Sequence, residues 1–164
     1  MRIARFALIA ALFARSTFLH AQTTATSLSI GGDVATPLTL TLDDLSKMPR
    51  ATATLTEKDA KVTYEGVPLI ELLKKAGVPF GKQLRGKNLD SYVVAKAHDG
   101  YKVVFTLPEL DPDFANESIV LADKKDGSPI ASPQGPLRIV CSGDKVGARS
   151  ERMVESIEWI RLEK

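Results

Sequence analysis

Short stretches in which apolar and polar residues alternate, separated by glycine, proline and acidic turns, dominate the chain, and they predict strands more often than helices. Residues 27–42 read as extended chain broken at Gly31-Gly32. Thr41-Leu42-Asp43-Asp44 carries a helix-start signature, with Thr41 placed to cap the first turn and Asp44 to answer it, and Pro49 stops the helix. Thr52 and Thr54 alternate with Ala51, Ala53 and Leu55. Val62-Thr63-Tyr64 resumes that period of two after a polar turn over residues 57–61, which predicts a hairpin. Leu69, Leu72, Leu73 and Ala76 fall on one helical face behind Pro68, with Glu71 and Lys75 spaced as an i,i+4 pair and Gly77 and Pro79 ending the helix.

The second half repeats the pattern. Residues 92–95 and 103–105 are strand runs around the turn Asp99-Gly100, and residues 107–110 form one helical turn. Residues 119–122 and Pro129-Ile130 flank the turn Asp126-Gly127, and strands follow over residues 137–141 and 154–162. Helices fall in the connections without regular alternation with strands. The expected class is α+β, a mixed and mostly β structure with an irregular sheet or partial barrel and short connecting helices.

The first residues change the picture of what the mature chain is. Arg2 and Arg5 precede the nine-residue apolar run 6–14, and small or medium residues lead to Ala21, the pattern of a secretory signal peptide. We therefore expect residues 1–21 to be removed, residues 22–164 to form a single domain, and the protein to be exported to the periplasm or beyond. The arginines are not adjacent, so the signal resembles the general secretory type, whose cargo crosses unfolded, and lacks the twin-arginine pair. The apolar run is about half the roughly 20 residues that span a bilayer, and no later stretch approaches that length. The formal charge of +2 for 164 residues becomes −1 once Arg2, Arg5 and Arg15 are gone. A near-neutral domain offers no electrostatic reason to bind nucleic acid.

Several chemistries lack their parts. One histidine, His98, follows the expected cleavage point, which leaves no histidine-based zinc site, and there is no phosphate loop and no nucleophile elbow. Neighbouring residues of a strand point to opposite faces, so His98 and Asp99 are poorly placed to act together. Asp43-Asp44 and Asp111-Pro112-Asp113 read as helix-start and turn residues. Cys141, the one cysteine, reads as a small buried residue; a reactive thiol would need the cations Lys145 and Arg149 beside it. What stands out is a C-terminal cluster: Arg138, Lys145, Arg149 and Arg152, interleaved with Gly143 and Gly147. Arginine forks and glycine-exposed amides suit an oxyanion such as phosphate, sulfate or carboxylate, while Glu151 and Glu155 could make the same segment a balanced, solvated face.

Taken in order, the stretches Ala51-Thr-Ala-Thr-Leu55, Tyr64-Glu-Gly-Val-Pro-Leu69, Asp99-Gly-Tyr101, Ile119-Val-Leu-Ala122, Gly135-Pro-Leu-Arg138 and Val146-Gly-Ala-Arg149 resemble the molybdopterin-binding domain of the sulfite oxidase family. The resemblance runs from about Leu38 to the end. It implies the sulfite-oxidase-like fold, a pterin cofactor holding molybdenum through a cysteine thiolate, and basic residues on the pterin phosphate and the substrate oxyanion. Arg138 and Arg149 match the family's arginines, Arg152 stands where a lysine is expected, and Met153 replaces a tryptophan. The ligand cysteine would lie two positions after Ala53-Thr54-Leu55, where this chain has Glu57. A hard carboxylate in place of a soft thiolate changes the metal's potential and electron donation. The resemblance therefore implies a bare cofactor domain without the standard cysteine-ligated molybdenum, whose redox partner, if it has one, is a separate protein. It binds a small anionic ligand, or molybdopterin or a pterin-like one, between Asp99-Gly100-Tyr101 and the cluster Arg138, Lys145, Arg149 and Arg152, with Tyr101 stacking on or hydrogen-bonding to a planar group. Two alternatives stay open: a molybdopterin-dependent oxidoreductase with a non-cysteine ligand, and a cofactor-free accessory protein. No catalytic residue is assigned.

Overall fold

A computed structural model of the protein describes residues 26–162, so the predicted signal peptide lies outside the described residues. Two five-stranded sheets carry the domain. The first sheet contains β1 (Ser27–Gly32), β2 (Leu38–Thr41), β5 (Ser91–Ala97), β6 (Lys102–Thr106) and β10 (Val154–Arg161), in the order β2-β1-β10-β5-β6. β1 and β10, from opposite ends of the chain, run parallel, while its other pairings are antiparallel. The second sheet contains β3 (Ala51–Glu57), β4 (Ala60–Pro68), β7 (Ile119–Lys125), β8 (Ser128–Pro129) and β9 (Arg138–Cys141). β7 pairs with β4, β8 and β9, all antiparallel. Because β3 also packs back towards β9, this sheet curls into the partial barrel expected from the sequence.

The local reasons are the ones the sequence offered, with three adjustments. Thr41 caps α1 (Leu42–Ser46): its Oγ1 accepts from the Asp44 amide at 3.2 Å, and Asp44 Oδ2 accepts from the Thr41 amide at 2.9 Å. A second capping box, Thr106 with Glu109, opens α3 (Leu107–Leu110). In α2 (Leu69–Lys75) Glu71 pairs with Lys74, three residues on, and not with Lys75. The β3–β4 turn is shorter than residues 57–61. Lys58 and Asp59 alone take positive φ, 47° and 65°, so a two-residue primed turn closes the hairpin and Glu57 becomes the last residue of β3, opposite Ala60. β4 also continues past Tyr64 through a bulge at Glu65/Gly66. A Cβ at Gly66 would stand 2.0 Å from the Leu121 carbonyl oxygen, so only glycine lets β4 approach β7 there.

The main core lies under the first sheet, where Leu28, Ile30, Phe105, Ile157 and Trp159 pack with Leu69, Leu72 and Leu73 of α2 and Leu121 and Ile139 of the second sheet. Beyond the bulge, Leu55, Val62, Tyr64, Val120 and Val140 fill a smaller core inside the curl. That smaller core ends at the charged groups described next.

Candidate functional site

At the end of the β3–β4 hairpin the register sets Glu57, Tyr64 and Lys125 together, because Tyr64 of β4 lies opposite Lys125 of β7. Arg138, the first residue of β9, enters the same space from the far side of β7. Its Nη1 donates to Glu57 Oε1 at 2.7 Å and to the Tyr64 hydroxyl at 2.5 Å, and its guanidinium lies 4.9 Å from the Tyr64 ring centre. Tyr64 in turn donates to Glu57 Oε1 at 3.0 Å, and Lys125 Nζ donates to Glu57 Oε2 at 2.8 Å. Partial burial opposes the charge on Glu57, but the bonds from Lys125, Arg138 and Tyr64 outweigh it and hold the carboxyl down at about 2. Burial, with Glu57 adding to it, raises the Tyr64 phenol, so this hydroxyl remains a proton donor.

Arg138 is 3% exposed, and its Nε is a buried donor without a partner. A buried N–H left unpaired costs about 1–3 kcal/mol. Arg138 also borders a cavity of about 580 Å³, whose walls are the end of β3 (Thr54, Leu55, Thr56 and Glu57) and the loop carrying Ser142, Asp144, Lys145, Gly147, Ala148 and Arg152. That size is ordinary for a small-molecule site. The loop is held from behind. Arg149 donates to both oxygens of Asp144, at 2.9 and 2.6 Å, and to Glu109 of α3 at 2.7 Å, and it lies 5.5 Å from the Phe105 ring centre. The bonds to Asp144 and Glu109 raise its pKa and keep it charged. Ser150 Oγ accepts from the Cys141 amide at 3.1 Å, joining the loop to β9. Among the described residues no ion pair or hydrogen bond is made by the side chain of Lys145 or of Arg152, both on the cavity wall.

The predicted site residues therefore separate. Arg138, Lys145 and Arg152 come together on the cavity. Arg149 stands behind its wall, tied to two carboxylates. Tyr101 touches the same loop from outside, its hydroxyl donating to the Ala148 carbonyl at 3.1 Å, and Asp99 Oδ1 accepts from the Tyr101 amide at 3.0 Å. Asp99 and Tyr101 are not among the residues that line the cavity; its second wall is β3. His98 pairs with Glu155 on the surface. Asp43-Asp44 and Asp111 do the structural work expected of them, Asp111 accepting from the Gly81 amide at 2.6 Å and the Asp113 amide at 3.0 Å.

Sequence reasoning missed Tyr64, Lys125 and Asp144. Reading Glu57 as the end of a strand would have indicated Tyr64, since a two-residue turn puts both on the inner face. Lys125 becomes visible only through the β4–β7 register.

The donors present do not fit the molybdenum centre that the resemblance implies. Glu57 stands where the resemblance places the metal ligand, and both its oxygens are engaged by internal donors. Cys141, the single sulfur nucleophile of the sequence, is fully buried in β9, and burial pushes its thiol up to about 12. A metal would find no thiolate at that place, and the carboxylate there is already committed to Arg138, Tyr64 and Lys125.

Residues 17–164 match the family model described as the oxidoreductase molybdopterin binding domain. Among solved structures the chain is similar to the sulfane dehydrogenase SoxCD from Paracoccus pantotrophus, with 23% identity and a TM-score of 0.63 over 84% of this chain. It spans 39% of that neighbour's chain, and at this identity the likeness concerns the fold. No curated protein sequence matches.

Proposed function

This chain belongs to the oxidoreductase molybdopterin binding domain family, and from that premise we propose that it is an exported protein whose cavity binds a small anionic or pterin-like ligand without mounting a thiolate-bound metal. The observation that carries this reading is the division of charge around the cavity. Glu57 is balanced by Arg138 and Lys125, and Arg149 by Asp144 and Glu109, which leaves Lys145 and Arg152 without internal counter-ions. Counted over these eight side chains, the cluster carries a net charge of +2, which suits a ligand with two negative charges, such as a sulfate or a phosphate ester.

The residues divide the work. Arg152 offers a planar fork and Lys145 a mobile point charge to the oxyanion. Thr54 and Thr56 line the opposite wall, and Gly147 has open space around it, so a ligand can approach the main chain. Arg138 is the deepest group. Its charge is spent on Glu57, and it closes the cavity floor. Arg149, with Asp144 and Glu109, fixes the loop that carries Lys145 and Arg152.

Calorimetric titration of the full chain with sulfate and with a pterin monophosphate tests the reading. Each of Arg152→Ala and Lys145→Ala is expected to weaken binding about tenfold, as loss of a charge-assisted contact does. Absence of binding by both probes, or binding indifferent to both substitutions, overturns it and favours the cofactor-free accessory reading.

A further inference from the structure

Glu151 has no place in the site as described, yet it is the most anomalous charged group in the fold. It lies in the strap of residues 147–152 that leads from the cavity loop to β10. It is 2% exposed, and both carboxylate oxygens are buried without a hydrogen-bond partner. The nearby Ala97 amide lowers the carboxyl in part, but burial outweighs it, and that amide is itself committed to the Tyr101 carbonyl at 2.9 Å. The charged groups on the surrounding elements leave Glu151 uncompensated. Asp99, from the β5–β6 turn, has the same sign. His98 is paired with Glu155, Lys96 with Glu158, Arg138 with Glu57 and Arg149 with Asp144 and Glu109, while Arg152 lines the cavity.

The main chain of this same strap closes the fold beside the cavity. The Glu151 carbonyl accepts from the Ile139 amide at 2.8 Å, its own amide donates to the Arg149 carbonyl at 2.9 Å, and Arg152 bridges to Arg138. The Val154 amide donates to the Leu137 carbonyl at 3.1 Å just beyond. We infer that Glu151 is a proton-operated latch: with its carboxyl protonated the strap stays docked on β9, and with the carboxyl ionised the strap loosens and takes Arg152 and the Gly147-Ala148 wall away from the cavity.

The reason is desolvation. An unpaired carboxylate in an apolar site is far less stable than in water, whereas the neutral acid tolerates burial. Burial, with Asp99 adding to it, raises the Glu151 carboxyl from 4.5 to about 7. The docked strap can therefore lose up to about 300-fold in its closed-to-open ratio as pH rises through that interval. As a statement about the cavity the latch rests on the ligand-binding reading above, but the strap itself can be tested separately.

The experiment is amide hydrogen exchange on the full-length mature chain at several pH values, corrected for intrinsic exchange, for wild type and Glu151→Gln. The expected result is that protection of the Ile139, Cys141, Glu151 and Val154 amides falls by tens to hundreds of fold as the pH rises from about 4.5 to about 7 and then levels off, with Glu151→Gln protected throughout. A carbon-13 titration of the Glu151 carboxyl in the wild type, expected to have its midpoint near the pH at which the loss of protection levels off, keeps the test decisive if the variant does not fold. Protection that ignores pH, or falls equally in Glu151→Gln, or a carboxyl midpoint near the ordinary 4.5, overturns the latch. Sulfate, whose charge is constant over this range, serves as the ligand probe. Its failure to bind at any pH counts against the ligand-binding reading and leaves the exchange result to decide the latch.

Discussion

Substituting Glu57→Gln removes the charge that organises the end of the partial barrel while nearly preserving its shape. Holding a carboxyl at about 2 instead of 4.5 corresponds to about 3 kcal/mol of native-state stabilisation. The Glu57 side chain keeps 23% of its exposure, so solvent screening discounts that figure to about 2–3 kcal/mol. The substitution also strands Arg138, whose side chain is 4% exposed, without an anionic partner, and breaking such buried pairs typically costs about 3–5 kcal/mol. We expect a loss of about 3 kcal/mol in urea unfolding at neutral pH, or about 10 °C in Tm for a domain of this size. The sign of the pH dependence follows from the lowered carboxyl. The Glu57 contribution is present in full above about 4.5 and is lost as pH falls towards 2, so wild type and variant should converge in acid. Adding Arg138→Met to Glu57→Gln removes the stranded charge and should recover roughly half of the loss. A cost below about 0.5 kcal/mol, the level of an ordinary surface change, or a difference that persists unchanged to pH 2, would refute the reasoning.

Other substitutions test separate parts of the structure. For Glu151→Gln the sign is reversed: a raised carboxyl destabilises the fold above about pH 7 and has no effect below about 4.5, so the variant should gain up to about 3 kcal/mol in alkaline unfolding and nothing in mild acid. Gly66→Ala should cost more than about 3 kcal/mol or prevent folding, read by circular dichroism, since its Cβ would stand 2.0 Å from the Leu121 carbonyl oxygen. Cys141 should resist thiol reagents at pH 8 in the native protein and react at once in urea, because burial holds the thiol at about 12. Arg149→Ala should cost about 2 kcal/mol through loss of the Asp144 and Glu109 pairs and the Phe105 contact, and should raise proteolytic cleavage within residues 142–149.

The fold was largely legible because its signals are local. Thr41 begins a helix, the apolar face of α2 repeats at helical spacing, and glycine and aspartate mark the turns. The pairing of β1 with β10 and of β7 with three partners has no such local signal. The site was legible in part. Its cations announced themselves by type and spacing, but a charge reveals nothing about its counter-ion. Lys145 and Arg152 remain available while Arg149 is consumed by Glu109 from another element. Glu57 looked like turn residue and metal-ligand substitute at once, and a turn of two residues in place of five decides that it ends a strand and faces Arg138. Glu151 lies among arginines whose charge it could balance, which suggested a solvated face. Only the docking of the strap on β9 shows that it is buried.

The most direct test of the account is the molybdenum and pterin content of the full chain recovered from the compartment where it resides. The account predicts molybdenum far below one atom per chain, unchanged by Glu57→Gln, whether or not a pterin or other anion accompanies the protein. Stoichiometric molybdenum, lost on Glu57→Gln, would contradict it: the carboxylate would then be a metal ligand and not the partner of Arg138, Tyr64 and Lys125.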